Sequence, residues 1–267
     1  MSLGALGRGL AVACCVLALA ACAQHAAPAG ATAYDPRALP AGPIGAEIRY
    51  GREIIMHTRA LLPRYVRANM DCAACHVAGG TQPRGGSLLG IDAQFPQWNA
   101  RAHRVIALQD RIAECFLYSE NGTPPAYSSR EMIAVVAYIA WLSRGTAVLS
   151  KKPSGQGFIV PLPTTAPDPV RGGRLFAQRC ALCHGANGAG SAVFPPLWGD
   201  LSFNKGAGMA HLNRMVGFVF YNMPQNAPGT LSLRDAYDIS AFVLSHERPA
   251  FKRDAAIRFS EEPAHYF

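Results

Sequence analysis

The sequence predicts a mainly α-helical protein made of two domains in tandem, joined by a proline-rich linker. Three observations predict it. The string C-x-x-C-H occurs twice, as Cys72-Ala73-Ala74-Cys75-His76 and as Cys180-Ala181-Leu182-Cys183-His184. Each copy lies between two stretches of helical periodicity. Ile48, Ile54, Ile55 and Leu61 precede the first copy and residues 132–142 follow it; Val170, Leu175 and Phe176 precede the second, and Leu233, Ala236, Tyr237, Ile239, Ser240 and Val243 follow it. Between the two units the composition changes to Lys151-Lys152-Pro153-Ser154-Gly155, then Pro161, Pro163, Pro167 and Pro169, which is linker composition.

The elements follow in chain order. Arg8 precedes an apolar run over residues 10–21, too short to span a bilayer and suited to the h-region of an export signal. The run ends in Leu19-Ala20-Ala21-Cys22, which resembles the lipobox of bacterial lipoproteins. Residues 1–21 are therefore expected to be a cleaved leader, with lipid on Cys22 holding the mature protein on a periplasmic membrane surface. Ordinary cleavage near Ala23, with Cys22 discarded, is the other reading of the same small residues. No later segment reaches the roughly 18 unbroken apolar residues of a membrane span. Residues 22–45 are rich in Ala, Gly and Pro and read as a flexible tether. The first domain covers 46–150, its closing helix begun by Ser128 or Ser129. The linker, 151–168, is expected to be extended and wrapped over the surface. The second domain covers 169–249. Asp168-Pro169 opens its first helix, glycine-rich loops follow over 185–190, and a helix is expected over 209–220 with Met209, Leu212, Met215, Val216 and Val219 on its apolar side. Its last helix starts after Thr230 or Ser232. Residues 250–267 read as a tail.

C-x-x-C-H is the attachment string of a c-type haem: the cysteines form thioethers to the porphyrin and the adjacent histidine binds the iron. Zinc ribbons and thioredoxin-like redox pairs share the C-x-x-C spacing, but neither explains a histidine directly after both pairs. Two covalently bound haem c groups are expected, one on Cys72, Cys75 and His76, the other on Cys180, Cys183 and His184. The order helix, haem motif, loops, closing helix resembles class I cytochromes c, so most apolar positions are read as core packed on haem. The formal charge is +8, and the basic residues are dispersed. That argues against a nucleic-acid partner and suits small anionic substrates or an acidic redox protein.

Each iron needs a distal ligand or an open site. Met223, followed by Pro224, stands 39 residues after His184. A thioether there raises the haem potential; Met209 is the rival and Met215 is read as core. The first domain has no Met-Pro at that place. Cys115 follows His76 at the same 39-residue spacing, and of the eight cysteines it alone belongs to neither the leader, the lipobox nor a haem motif. A thiolate ligand would lower the iron's potential. Most free cysteines are buried structural residues, but here the orphan cysteine and the vacant ligand position coincide. His103, His57 and Met70 are weaker candidates.

Four strings make the resemblance specific: the block 111–122 around Cys115, Trp141-Leu142-Ser143-Arg144-Gly145, Ser202-Phe203-Asn204-Lys205-Gly206-Ala207-Gly208-Met209, and Asn222-Met223-Pro224. Over residues 46–249 the chain resembles the dihaem thiosulfate dehydrogenase family. It is more distantly similar to the cysteine-ligated cytochrome subunit of the sulfur-oxidising multienzyme system. The resemblance implies oxidation of two thiosulfates to tetrathionate, a reaction some members run in reverse. It implies that the His76/Cys115 haem is the active site. The second haem would pass electrons to a small soluble acceptor such as a cytochrome c or a high-potential iron–sulfur protein. Cys115 maps onto the catalytic cysteine, and Arg111, Ser119 and Arg101 map onto substrate-site positions. Some members carry a lysine directly before the distal methionine and exchange ligands with redox state; here the position is Asn222, so plain His184/Met223 ligation is expected. Two other readings remain at this stage: a dihaem electron carrier without its own substrate, and a sulfur-carrier subunit.

Overall fold

Each domain is organised by the crossing of its first long helix with its last. In the computed structural model, which describes residues 34–150 and 155–251, α1 (Pro43–Met56) crosses α5 (Arg130–Leu142), and α6 (Pro169–Arg179) crosses α9 (Leu233–Leu244). Both crossings use glycine in the same way. A Cβ on Gly51 would lie 1.9 Å from the Ala134 carbonyl oxygen and 2.9 Å from Tyr138 Cβ. One on Gly172 would lie 2.0 Å from the Asp238 carbonyl oxygen and 3.0 Å from Phe242 Cβ. Only glycine lets the backbones approach this closely, and in both domains an aromatic ring four residues beyond the carbonyl packs beside the contact.

Local signals start the helices. Ser129 Oγ accepts from the Met132 N–H at 3.2 Å to begin α5, and Ser232 Oγ accepts from the Asp235 N–H at 3.0 Å to begin α9. Asp168 caps α6 with Pro169 in the first turn, its carboxylate accepting from the Arg171 N–H at 2.9 Å.

Three expected elements differ. The helix before the first motif does not run through Leu61: it stops at Met56, His57 leaves the helical region (φ −136°, ψ 41°), and α2 (Thr58–Leu61) is a separate turn with Leu61 exposed. The buried hydroxyl of Thr58 explains the break, donating to the Ile54 carbonyl (2.7 Å) and accepting from the Cys72 N–H (3.0 Å), which seats the first motif on the helix end. Met209 is not in a long helix but in a 3-10 turn, Gly208–Ala210, ahead of α8 (Leu212–Asn222), because the backbone at His211 is extended. Residues 34–42, expected within the tether, carry a 3-10 turn capped by Asp35, and the Tyr34 ring meets Tyr138 edge-on at 5.7 Å.

Short turns, α3 (Val77–Gly80) and α7 (Ala181–His184), adjoin the two motifs. A two-stranded antiparallel hairpin, β1 (Gln97–Asn99) and β2 (Arg104–Ile106), pairs Gln97 with Ile106 and Asn99 with Arg104, and leads into α4 (Leu108–Tyr118). The linker is a packed strap. Gln156 accepts from Gln94 Nε2 (2.8 Å) and donates to the Leu89 carbonyl (3.0 Å), which ties it to the first domain. Phe158 packs edge-on against Phe218 of the second domain, and Val160 is buried. The domains also bond directly. The Asn204 N–H donates to the Tyr118 carbonyl and its side chain to the Leu117 carbonyl, and the Asn69 N–H donates to the Leu201 carbonyl. The leader, Cys22 and residues 252–267 lie outside the described residues. Among the described residues no helix is long and apolar enough to cross a membrane.

Candidate haem sites and active site

Both motif histidines are held by the same device. His76 Nδ1 is 2.6 Å from the Gly86 carbonyl oxygen, and His184 Nδ1 is 2.9 Å from that of Pro195. Donation from Nδ1 fixes the tautomer and leaves Nε2 as the free lone pair, which is how an iron-binding imidazole is held. Burial lowers the pKa of both rings, so both are neutral near pH 7; Arg111 adds to the effect at His76. Gly86 is required where it stands: its φ is +62°, and a Cβ would lie 2.2 Å from the Cys75 carbonyl oxygen. Burial also holds the unalkylated thiols of Cys75 and Cys180 up at about 12 and about 11.

The second motif opens on a cavity of about 590 Å³ lined by Cys180, Cys183, His184, Met209, Met223 and Phe176. Two cysteines, an imidazole with its Nδ1 occupied, two thioethers and apolar walls are the donor set and surface a covalently attached haem requires, so the residues fit the group. The same cavity is lined by Ala74 and Cys75 of the first motif. The two motifs therefore share a wall of this cavity.

Around the first motif the structure brings together Arg111 and Cys115. Both lie on α4, four residues apart and hence on one face, and Arg111 Nη1 is 3.4 Å from Cys115 Sγ. Ser119 caps the C-terminus of the same helix. Burial raises the pKa of the Cys72 and Cys75 thiols, and the charges of Glu120 and then Cys115 add to it. The Arg111 guanidinium is stabilised in its charged form first by Cys115, and it also meets Glu114 Oε2 at 3.4 Å.

Arg101 arrives from elsewhere. At the hairpin tip Asn99 Oδ1 accepts from the N–H groups of Arg101 (2.8 Å) and Ala102 (3.0 Å), while Asn99 Nδ2 donates to Glu114 Oε1 (2.8 Å), tying the tip to α4. The Arg101 guanidinium lies over the Tyr118 ring, 4.2 Å from its centroid, and donates to the Gly206 carbonyl of the second domain at 2.8 Å. His103, at the same tip, and His57, which faces Glu53, are both exposed; Met70 is buried and lines the shared cavity.

Sequence reasoning missed three residues here. Glu120 is buried with Oε2 unpartnered, and burial, reinforced by Cys115, raises its pKa well above the usual carboxylate value. His211 and Arg214 come from the second domain and bring charge or hydrogen-bonding capacity toward Arg101 and Arg111. Glu120 could have been flagged as a charge inside an apolar helix-end block; nothing local marks the other two.

Fold and motifs together define a tandem cytochrome c protein with two covalently bound haems. Comparison with known proteins narrows the class. A family model described as SoxA/TsdA, cytochrome c domain, matches residues 60–148, and one described as cytochrome c oxidase, cbb3-type, subunit III, matches residues 167–243. The thiosulfate dehydrogenase of Allochromatium vinosum is 38% identical over 224 residues, 80% of this chain and 83% of that one. That of Stutzerimonas stutzeri is 36% identical over 229 residues, 83% and 75%. The structure of thiosulfate dehydrogenase TsdBA from Marichromatium purpuratum superposes with a TM-score of 0.79 at 32% identity, covering 88% of this chain and 53% of that one. The present chain spans about half the length of that solved chain. It belongs to the thiosulfate dehydrogenase family.

Proposed function

We propose that this protein joins two thiosulfate ions into tetrathionate and hands on the two electrons released. The observation that carries the reading is the contact of Arg111 with Cys115 beside the first haem motif: an anion-binding fork on a sulfur facing a redox centre. A pure electron carrier has no use for that pairing.

Thiosulfate is a dianion, and two must meet. Arginine forks bind oxyanions and screen their repulsion; Arg111 and Arg101 supply them, and Ser119 offers a hydroxyl on the same helix face. The Cys115 thiolate bonds to the sulfane sulfur of the first thiosulfate, giving Cys–S–S–SO3⁻ and releasing two electrons. The sulfane sulfur of the second thiosulfate then attacks that of the first. An S–S bond forms, the bond to Cys115 breaks, tetrathionate leaves and the thiolate is regenerated. No proton is consumed. Covalent capture divides one difficult encounter of like charges into two steps. His76 and Cys115 would hold the first haem and His184 and Met223 the second; once bound, the haems supply the one-electron acceptors. The shared wall at Ala74 and Cys75 favours transfer from the first site to the second. A small soluble redox protein would take the electrons onward. Lipid on Cys22 would hold the enzyme at the periplasmic membrane surface, which mass spectrometry of the mature N-terminus tests.

The purified dihaem protein should reduce ferricyanide only when thiosulfate is present, with one tetrathionate formed per two thiosulfates consumed. Ferricyanide reduction without tetrathionate would refute the reading.

A further inference from the structure

The glycine loop 206–208 separates two guanidiniums that belong to different domains. On one side Arg101, from the hairpin of the first domain, donates to the Gly206 carbonyl at 2.8 Å. On the other, Arg214, from the first turn of α8, lies against Gly208: a Cβ there would be 2.9 Å from Arg214 Nη1 and 3.7 Å from its Cδ. Loop 202–208 is bolted to the end of α4, the helix of Cys115, through Asn204 and the carbonyls of Leu117 and Tyr118. Arg214 therefore packs on a loop that the domain interface bonds to the end of α4.

Its electrical surroundings are unusual. The Arg214 side chain is exposed; its partial burial lowers its pKa first, and the charges of Arg111 and Arg101 lower it further. His211 has its pKa lowered by burial and then by Arg214 and Arg101, which makes it a neutral imidazole beside the cations near pH 7. Among the described residues no carboxylate forms an ion pair with Arg214 or with Arg101, and the carboxylate paired with Arg111 is Glu114. Three cations share one carboxylate, Glu114, and the Cys115 sulfur, so a further anion between them is favoured.

We propose that Arg214 completes the oxyanion pocket from the second domain and binds the sulfonate of the second thiosulfate, so that the active site exists only where the two domains meet. The proposal rests on the thiosulfate reading above and adds to it the residue that sets affinity for the second dianion. The electrostatics require such a group. Two thiosulfates bring four negative charges, and Arg101 with a Glu114-shared Arg111 leaves most of them uncompensated. A haem propionate is the other oxyanion that could face Arg214, and the test separates the two.

Arg214→Gln should be prepared as the full-length dihaem protein. If Arg214 binds substrate, KM for thiosulfate rises about tenfold or more, the loss of one charge-assisted contact, while kcat changes less. The inhibition constant of sulfate, a dianion that cannot be oxidised further, rises in parallel, and both haem potentials stay at their wild-type values. Arg214→Lys, which keeps the charge but not the fork, recovers part of the affinity and serves equally if Arg214→Gln fails to incorporate haem. An unchanged KM and sulfate constant overturn the proposal, and an unchanged KM with a moved haem potential assigns Arg214 to a propionate instead. A wild-type protein that forms no tetrathionate overturns the function proposed above; a wild type that does, with an indifferent Arg214, overturns only this inference.

Discussion

On the proposed mechanism one sulfur, that of Cys115, serves both as iron ligand and as nucleophile, and Arg111 Nη1 lies 3.4 Å from it. Cys115→Gly should keep both covalent haems, since Cys72, Cys75, Cys180 and Cys183 are untouched, yet lose tetrathionate formation. The low-spin electron paramagnetic resonance signal of the thiolate-bound haem should vanish while that of the other persists. A dihaem Cys115→Gly protein that still made tetrathionate at the wild-type rate would overturn the covalent mechanism. At the second site both Met209 and Met223 line the cavity with His184, and either would offer a thioether to the haem iron. Met223→Gly should abolish the weak near-infrared thioether–iron band and lower that haem's potential, and Met209→Gly should leave both; the reverse pattern would make Met209 the ligand. These residues were legible in the sequence for a definite reason. Cys115 was the one cysteine without an assignment, and its 39-residue spacing from His76 matched that of Met223 from His184. Arg214 was not legible, because its meaning depends on a loop bonded to a helix 87 residues away in the other domain.

At the scale of elements, what the sequence reveals is what neighbouring residues decide. Ser129, Ser232 and Asp168-Pro169 mark helix starts because an N-cap is a contact over three residues. The hairpin Gln97–Ile106 was not anticipated: strands of three residues are too short for alternation to register. The break at His57 depends on Thr58 reaching Cys72, which no local pattern encodes. The packing of α6 on α9 rests on a similarly non-local group. Asp238 is fully buried, accepts from the Asp168 N–H at 2.9 Å, and meets Arg171 at 2.6 Å and Arg234 at 3.1 Å. Burial pushes its pKa up, but the Asp168 N–H and the two guanidiniums outweigh burial and bring it below the ordinary 3.8. A depressed carboxylate stabilises the fold above its unfolded pKa, and that contribution is lost as pH falls through the folded value. Asp238→Asn should therefore cost about 1.5–3 kcal/mol at neutral pH, read from denaturant unfolding followed by the second haem's absorbance. The gap to wild type should close as pH falls below about 4. A gap independent of pH would mean that the charge on Asp238 is not what holds the crossing.

For the whole molecule, composition located the linker but not how tightly the halves are joined. A proline-rich stretch reads as a spacer, yet Gln156, Phe158 and Val160 bind it to both domains. The interface has a centre at Asn222. Its side chain is buried, donates to the Phe218 carbonyl at the end of its own helix (3.0 Å) and to the Arg84 carbonyl of the first domain (2.9 Å), and accepts from Gln82 Nε2 (2.9 Å). Arg84 in turn lies over the Tyr221 ring, 4.4 Å from its centroid. Asn222 immediately precedes Met223, and Arg84 lies two residues before Gly86, whose carbonyl holds His76. The distal loop of one haem site is thus pinned to the proximal loop of the other. With these bonds in place the domains should unfold together, as one calorimetric transition of the holoprotein. Asn222→Ala removes its part-buried bonds to the Arg84 carbonyl and the Gln82 amide and its buried bond to the Phe218 carbonyl, a loss of roughly 2 kcal/mol. It should lower the midpoint by about 4–8 °C and separate the transition into two. Gln82→Ala, which approaches the same contact from the first domain without touching the Met223 loop, should shift the midpoint in the same direction by a smaller amount. If Asn222→Ala melts in one transition at the wild-type midpoint, the pinning contributes nothing to coupling, and the rigidity of the pair has to come from the packed linker alone.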